Sequence, residues 1–369
     1  MAASEGIEKL IRSDLIDFSG YAACKSTETI EGKVEMPVED IIKLDANENP
    51  YGCSPRVNQA LATCADINIY PDSGQKELRK QLQEYTGVAM EHIVASAGSD
   101  QLIDLILRLF VETGDEVINC TPTFAMFHFF IELSKGTPVE VLRDENFCVD
   151  VAAIKRAITK KTKLILLATP NNPTGTMIPR EDILEILDTG LPVVVDEAYY
   201  EFTGKTVAPL VGQYKNLMVL RTFSKWAGLA GLRIGYGLFP TKIADYLLRI
   251  KEPYSVNVAA LVAVRESLKD TDYLMDRVKT IIAERERLFS RLKGIKWLKP
   301  YPSWANFILC SVLKGGAREL QQKLEDRGIL VRYFDQPLLR DCVRISIGKP
   351  EENDIFMETL NELGEELDG

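Results

Sequence analysis

One lysine and two arginines lie among small residues in the stretch RTFSKWAGLAGLRIGYG, residues 221–237. Lys225 follows the apolar run LMVLRT, and Arg233 comes soon after it in a glycine-rich setting. An amine becomes a nucleophile only when it loses its proton, and a nearby cation in a partly dry cleft favours that loss. The pattern indicates an imine-forming lysine, and the ordinary alternative is a solvated surface lysine beside turn glycines.

A second candidate is the carboxylate that ends the apolar run PVVVDE at residues 192–197. Burying a carboxylate is costly unless a cation or a hydrogen-bond donor meets it. We therefore expect Asp196 to have such a partner, with Tyr199 close by in the chain. Aspartate is also a common helix cap, which is the alternative interpretation.

Two further stretches place polar groups after apolar runs. In ASAGSDQLIDLIL, residues 95–107, a turn at Gly98 leads into a helix predicted to begin at about Ser99. Unpaired amides at a helix start favour a phosphate, although a plain serine cap is the alternative. In ATPNNPTGT, residues 168–176, prolines and a glycine break the chain, and Asn172 offers an amide to a ligand or merely belongs to a turn.

These four stretches follow the strands of a predicted α/β fold. Short apolar runs alternate with stretches whose apolar residues lie three or four apart, which favours a mostly parallel sheet flanked by helices. The predicted strands of this part are residues 116–120, 164–169, 192–197, 217–222 and 233–239. Ligands bind beyond the carboxyl ends of such strands, so we expect the four stretches to meet there.

The pattern changes after Asn257 to long charged helices and then to further strand-like runs. We predict a smaller α+β domain there, with strands near residues 305–312, 329–334 and 342–348 and a closing helix. The predicted divisions are an N-terminal arm, 1–45, that joins the small domain, a large domain, 46–265, that contains the four stretches, and a small C-terminal domain, 266–369.

Composition excludes several classes of function. A formal net charge of -10 disfavours nucleic acid as a partner. Seven cysteines without a CxxC pair predict free thiols in a reducing compartment, and no apolar run is long enough to span a membrane. The chain has no dinucleotide-binding glycine pattern and no P-loop, and its histidines, His92 and His128, are too few for paired-histidine zinc hydrolases. No metal site is predicted.

Taken together, the motifs resemble those of the fold type I pyridoxal-phosphate aminotransferases. The shared order is Gly-Ser-Asp, Asn-Asn-Pro-Thr-Gly, Asp-Glu-Ala-Tyr, and then Ser-Lys with Gly-Leu-Arg. LDANENPYG at 44–52 and VRISIGKPEEN at 343–353 resemble the histidinol-phosphate aminotransferase family, and residues 221–237 are most similar to its plant-type branch. The resemblance extends from about residue 40 to the C-terminus.

The resemblance implies roles around the ring of pyridoxal 5'-phosphate. Lys225 would carry the cofactor as an internal Schiff base and would then move the proton between substrate and cofactor carbons. Asp196 would keep the pyridine nitrogen protonated, so that the ring accepts electrons. Asn172 and Tyr199 would hydrogen-bond the ring hydroxyl oxygen, and Phe124 would stack on the ring face.

The resemblance also implies how anions are held. The cofactor phosphate would be held by Arg233, Thr222, Ser224, Ser99 and Asp100, and by Tyr70 of a neighbouring subunit, so a homodimer with shared active sites is expected. Arg344 would bind the substrate's phosphate or carboxylate with help from Arg332, because guanidinium pairs with two oxygens at once. Asn47 and Tyr21 are further candidates for substrate contacts.

The implied activity is transamination between histidinol phosphate and 2-oxoglutarate, which gives imidazole-acetol phosphate and glutamate in histidine biosynthesis. A threonine-phosphate decarboxylase and a broader aromatic or branched-chain aminotransferase share the same cofactor residues and stay open as alternatives. A non-catalytic relative is disfavoured because Lys225 and Asp196 are both present. The expected location is the cytoplasm, or the plastid stroma if a transit peptide has been removed.

Overall fold

The computed structural model describes residues 4–16, 18, 20, 21, 23, 24 and 37–368. Part of the predicted N-terminal arm, 1–45, therefore lies outside the described residues. The described chain forms two sheets, and its strands are β1 Ile42–Leu44, β2 Ile93–Ser96, β3 Glu116–Thr121, β4 Thr137–Leu142, β5 Thr162–Ala168, β6 Val193–Asp196, β7 Leu217–Thr222, β8 Gly235–Leu238, β9 Leu298–Pro300, β10 Phe307–Val312, β11 Ile329–Tyr333 and β12 Cys342–Ser346.

The larger sheet has seven strands in the order β2-β8-β7-β6-β5-β3-β4. The five strands β7, β6, β5, β3 and β4 run parallel to one another. Strand β8 runs antiparallel to both β7 and β2. The prediction of a mostly parallel sheet flanked by helices is confirmed. The strand predicted at 233–239 is β8, the one strand of opposite direction in this sheet.

Alternate side chains of the central strands enter two separate cores, one on each face of the larger sheet. In β5, Ile165 and Leu167 belong to one core, while Leu164 and Leu166 belong to the other. Both faces are therefore apolar, which explains why the strand reads as a continuous apolar run. The helices around this sheet are Pro55–Ala62, Lys76–Thr86, Ser99–Phe110, Ala125–Leu133, Val151–Ala157, Arg180–Leu187, Thr241–Ile250 and Val258–Lys269.

The smaller sheet has five strands in the order β1-β11-β12-β10-β9. Strand β1 comes before the larger sheet in sequence, yet it pairs in parallel with β11. The helices of this part are Thr271–Leu292, Ala317–Glu325 and Pro350–Asp368, and a short helix, Ser4–Ile7, lies near the N-terminus. The membership of β1 supports the expected joining of the arm to the small domain, and the limits 1–45, 46–265 and 266–369 stay a prediction.

Strands β2 and β4 were not expected from the sequence. Strand β2 has only four residues, and β4 lies at the sheet edge with mostly part-buried or exposed side chains. Neither produces a long apolar run, because β2 is short although fully buried, and β4 is an edge strand that needs little burial. Among the described residues, no helix is both long and apolar enough to cross a bilayer.

Candidate active site

A cavity of about 300 Å³ lies beyond the carboxyl ends of β5, β6 and β7. Ala168, Asp196 and Thr222 end these three strands and line the cavity, as expected for an open α/β sheet. The helix Ser99–Phe110 begins at the same cavity, and Arg344 of β12 reaches it from the smaller sheet. The site therefore lies between the two sheets.

The cavity brings together most of the side chains singled out in the sequence. Those that line it are Tyr21, Asn47, Ser99, Asp100, Phe124, Asn172, Asp196, Tyr199, Thr222, Ser224, Lys225, Arg233 and Arg344. Arg332 and Tyr70 lie outside this lining. The four stretches thus meet in one place, and the individual roles of their residues stay predictions.

Lys225 lies in the turn that follows β7, and its amine faces the cavity. Its Nζ donates a hydrogen bond of 3.2 Å to the carbonyl oxygen of Ala46. Burial lowers the pKa of this amine to about 8, with further lowering by the cations of Arg344 and Arg233. A neutral, nucleophilic amine is therefore much more accessible here than at an exposed lysine.

Asp196 is 5% exposed at the end of β6. Its Oδ1 accepts a hydrogen bond of 2.9 Å from the Ala198 amide. Burial raises the pKa of this carboxyl to about 7, against the lowering effects of the Ala198 amide and the Lys225 cation. The carboxylate thus gains stability from an added cation, and a protonated ring nitrogen at this position fits that requirement.

Tyr199 lies buried over Phe307, with their ring centroids 5.2 Å apart in an edge-to-face arrangement. Its hydroxyl oxygen accepts a hydrogen bond of 2.9 Å from Nδ2 of Asn47. Burial raises the pKa of Tyr199 to about 12, so the hydroxyl keeps its proton at neutral pH. It is therefore able to donate that proton to a ligand oxygen.

Arg344 connects the smaller sheet to the loop after β5. Its Nη1 donates a hydrogen bond of 2.6 Å to Oδ1 of Asn172, and its Nη2 donates to the carbonyl oxygen of Asp45. Nε of Arg344 is buried and has no hydrogen-bond partner within the described part of the chain. An orphaned guanidinium donor at a cavity wall fits a bound anion.

The start of the helix Ser99–Phe110 has the features of a phosphate seat. Its N-cap, Gly98, has a φ of +79°, and no side chain caps the helix. A Cβ at Gly98 would lie 2.5 Å from a guanidinium nitrogen of Arg233, and the positive φ itself favours glycine at this position. Arg233 pairs with Asp100 at 2.7 Å, and the hydroxyls of Thr222 and Ser224 lie 3.0 Å apart beside them. Cation, hydroxyls and open amides together fit a phosphate.

Arg332 lies beside the cavity lining. It pairs in register with Arg344 across β11 and β12, so both side chains occupy the same face. Its Nη1 donates to the thiol of Cys24 at 3.5 Å, and its guanidinium lies 6.0 Å from the ring of Tyr21. The two arginines therefore form a basic corner beside Cys24 and Tyr21.

Tyr70 lies on the surface of the chain and is 77% exposed. Its ring stacks on Tyr254 with centroids 4.5 Å apart. Its expected contact involves a neighbouring subunit and stays a prediction.

A buried ion pair behind the site was missed in the sequence. Nη2 of Arg221 lies 2.9 Å from Oε2 of Glu197, and their side chains are 3% and 1% exposed. Glu197 also accepts bonds from Thr206 and from the Val207 amide. The pair joins the ends of β6 and β7 directly beside Asp196 and Thr222. The sequence did contain a clue to this pair, because Glu197 follows Asp196 and Arg221 precedes Thr222, and both of those neighbours are predicted site residues.

Ser346 and Asn306 were also missed. Ser346 lies two residues after Arg344 on β12, and side chains two apart in a strand share a face. That alternation was a usable signal for Ser346. Asn306, which donates to the carbonyl oxygen of Asn47 at 3.0 Å, left no comparable signal in the sequence.

Comparison with known proteins agrees with this geometry. Residues 39–360 match the family model for aminotransferase class I and II. A histidinol-phosphate aminotransferase of Dehalococcoides mccartyi is 58% identical over 359 residues, which cover 97% of this chain and 99% of that protein. The chloroplastic histidinol-phosphate aminotransferase of Nicotiana tabacum is 43% identical, with 96% of this chain and 86% of that protein covered.

A solved structure shares the whole fold. It is the histidinol-phosphate aminotransferase of Sinorhizobium meliloti in complex with pyridoxal-5'-phosphate, which matches with a TM-score of 0.88 at 27% identity. The match covers 97% of this chain and 98% of that chain. The chain therefore belongs to the class I and II aminotransferase family, in which its relatives include histidinol-phosphate aminotransferases.

Proposed function

We propose that this chain is a pyridoxal-phosphate-dependent aminotransferase that transfers the amino group of histidinol phosphate to 2-oxoglutarate, in histidine biosynthesis. The observation that carries the proposal is one cavity lined by Lys225, Asp196, Arg233 and Arg344. It holds a nucleophilic amine, a carboxyl that favours a nearby cation, and a cation from each side of the cleft. The 58% identity to the Dehalococcoides mccartyi relative supports the choice of substrates.

When bound, pyridoxal phosphate supplies an aldehyde that condenses with amines and a ring that accepts electrons from the substrate carbon. Arg233 and the amides at the start of the helix Ser99–Phe110 would hold its phosphate. The carboxylate of Asp196 would hold a proton on the ring nitrogen, and Phe124 would support the ring face. Asn172 and Tyr199 would both donate toward the ring hydroxyl oxygen.

Lys225 would move the proton in the reaction. Its pKa of about 8 leaves a useful neutral fraction near neutral pH, so Nζ is able to take a proton from the substrate carbon and later return it. The carbonyl oxygen of Ala46 provides a resting position for Nζ at 3.2 Å. Because the Ala46 carbonyl is uncharged, it orients the Lys225 amine but binds it less strongly than a carboxylate would.

Arg344 and Arg332 would bind the anionic end of each substrate. Histidinol phosphate carries a phosphate and 2-oxoglutarate carries carboxylates, and a guanidinium fork pairs with either. One basic corner thus serves both substrates in turn. Each half-reaction uses the same cavity, so ping-pong kinetics are expected.

Substrate assays test the proposal. Purified protein with histidinol phosphate and 2-oxoglutarate should release glutamate, and double-reciprocal plots should be parallel. Release of carbon dioxide from threonine phosphate without glutamate formation would instead favour the decarboxylase. Equal turnover of a panel of aromatic or branched-chain amines would favour the broader aminotransferase. A protein that binds no pyridoxal phosphate would refute all three.

The proposal includes a homodimer with shared active sites. Tyr70 is 77% exposed, and Ile67 and Ile69 beside it are 75% and 58% exposed, which supports a partner surface in this region. Light scattering should give twice the mass of one chain. Tyr70→Phe should weaken retention of pyridoxal phosphate in the dimer, and a protein that is monomeric at full activity would contradict the proposal.

We also propose a cytoplasmic setting. Every one of the seven cysteines is free, which suits a reducing compartment. Microscopy of the tagged protein in its own cells would test this, and a plastid signal would support the alternative.

A further inference from the structure

Asn47 joins the two sheets through a set of buried hydrogen bonds. The residue is 2% exposed and adopts a φ of 54°, which asparagine tolerates better than most residues. Its Nδ2 donates to the hydroxyl oxygen of Tyr199 at 2.9 Å, and its Oδ1 accepts from the hydroxyl of Ser346 at 3.0 Å. Its backbone amide donates to the same Ser346 oxygen at 2.9 Å.

Ser346 decides which end of the Asn47 amide faces Tyr199. The Ser346 oxygen already accepts the backbone N–H of Asn47, so its single proton is best used on an acceptor. Oδ1 of Asn47 is that acceptor. With the amide reversed, the serine proton would face an NH2 group and lose its partner, which is costly for a buried donor.

The amide orientation in turn sets the direction of the Tyr199 proton. Nδ2 of Asn47 has no lone pair to offer, so the Tyr199 oxygen must act as the acceptor in this bond. The hydroxyl proton of Tyr199 is then free for an oxygen in the cavity that Tyr199 lines. If the amide were reversed, Tyr199 would donate to Asn47 and would no longer donate into the cavity.

We propose that Ser346 is a positioning residue, which acts through Asn47 to direct the hydroxyl proton of Tyr199 toward the ring oxygen of the bound cofactor. This inference rests on the proposed function. Ser346 lies on β12 with Arg344, so one strand of the smaller sheet holds both the anion-binding guanidinium and the residue that orients Tyr199.

The charged and titratable groups that act on Tyr199 come from several elements. Arg344 lowers the pKa of Tyr199, and the hydrogen bond from Asn47 lowers it too. Asp196 and Tyr21 raise it, and burial raises it most. A donor bond from Asn47 thus makes Tyr199 a better donor in its own right, in addition to fixing its direction.

The test is a spectrophotometric pH titration of the cofactor-loaded enzyme without substrate. A donor on the ring oxygen withdraws electron density from it, so a proton bound beside that oxygen dissociates at a lower pH. Ser346→Ala should therefore raise the midpoint of the visible absorbance change by about half a pH unit. Ser346→Thr keeps the hydroxyl and should keep the midpoint of the native enzyme.

Matched variants separate positioning from stability. Ser311→Ala removes a hydroxyl of the same sheet that contacts Tyr301 at 3.0 Å, and it should leave the midpoint unchanged. Tyr199→Phe should raise the midpoint of the absorbance change. Adding Ser346→Ala to the Tyr199→Phe variant should raise that midpoint no further. If Ser346→Ala fails to fold, Asn47→Gly tests the same path at a backbone position that glycine accepts, and it should also raise the midpoint.

Two failures are distinguishable. If the native enzyme takes up no pyridoxal phosphate, the proposed function is wrong. The positioning role is wrong if the native enzyme loads normally but Ser346→Ala and Asn47→Gly titrate at the native midpoint. It is also wrong if Ser346→Ala shifts the midpoint equally in proteins with and without the Tyr199 hydroxyl.

Discussion

The Nζ atom of Lys225 donates a hydrogen bond of 3.2 Å to the carbonyl oxygen of Ala46, on the segment that precedes the larger sheet. The amine thus rests against a neutral acceptor in a buried cavity that also contains Arg344 and Arg233. Burial and these two cations lower its pKa to about 8. Burial and the two cations therefore favour the neutral amine, which is the form that a nucleophilic role requires.

Lys225→Ala should abolish turnover and covalent attachment of the cofactor. Borohydride reduction followed by mass spectrometry of the peptides should find the label on Lys225 in the native enzyme and nowhere in the variant. Lys251→Ala is the matched control, because Lys251 is also buried with a lowered pKa but binds Ser255 away from the cavity. Labelling of the Lys225→Ala protein would contradict the assignment.

The rate of cofactor attachment to the apo-protein should depend on pH through Lys225. A lowered pKa means that the neutral amine forms above about pH 8, so the rate should rise with pH to half its maximum near 8. Arg344→Gln removes one cation and should move that midpoint upward. Stopped-flow absorbance measures both, and a midpoint above 10 in the native protein would show that Lys225 is an ordinary lysine.

Asp196→Asn keeps the shape of the side chain and removes its charge. The variant should still attach the cofactor through Lys225, while kcat falls by about 10²-fold or more because the ring nitrogen loses its charged partner. Asp182→Asn is a control, since its carboxyl also has a raised pKa from burial but lies on the helix Arg180–Leu187. Steady-state kinetics with unchanged kcat in Asp196→Asn would remove Asp196 from the mechanism.

Arg344→Lys keeps a positive charge but removes the planar fork. It should raise KM for histidinol phosphate and lower kcat/KM by about 30-fold, which corresponds to ~2 kcal/mol for a charged hydrogen bond. Arg340→Lys provides the comparison, because Arg340 is exposed and pairs with Asp335 at 3.4 Å outside the cavity. Equal kinetics for the two variants would place substrate binding elsewhere.

Glu197→Gln should destabilise the fold more than any exposed charge change. Arg221 would keep its buried charge but lose the carboxylate it pairs with, and only the more distant Glu201 would remain as a buried acid that acts on it. We expect a cost of about 3 kcal/mol in the free energy of unfolding. The exposed pair Lys279–Asp276 offers the control, and Asp276→Asn should leave the unfolding midpoint unchanged. Urea unfolding measures both, and matching midpoints would mean that the Arg221 charge is compensated by another group.

Much of the site could be predicted from local patterns. An apolar run that stops at a polar residue marks the end of a buried strand, and parallel strands end at one edge. This is why Asp196, Thr222 and Lys225 were expected to meet Asn172 and Ser99. The small domain was also predicted, because β10, β11 and β12 are short apolar runs between charged helices.

Other features were beyond the reach of the sequence. Strand β4 is half exposed and β1 has three residues, so neither differs in pattern from a loop. Glu197 and Arg221 adjoin predicted site residues, but the sequence does not show that their side chains face each other inside the fold. Burial of charge depends on the partner and thus on the packing of β6 against β7.

The order of residue types along the chain determined the α/β architecture and the strands of the two sheets, and it made Lys225 the predicted reactive amine, because each of these inferences depends on neighbours within a few positions. Only the tertiary structure decided how hydrogen bonds are shared among Asn47, Tyr199 and Ser346. These residues lie 152 and 299 positions apart from Asn47 in sequence, and their bonds exist only where the two sheets meet. A donor's direction depends on the acceptors around it, and those acceptors are brought together by folding.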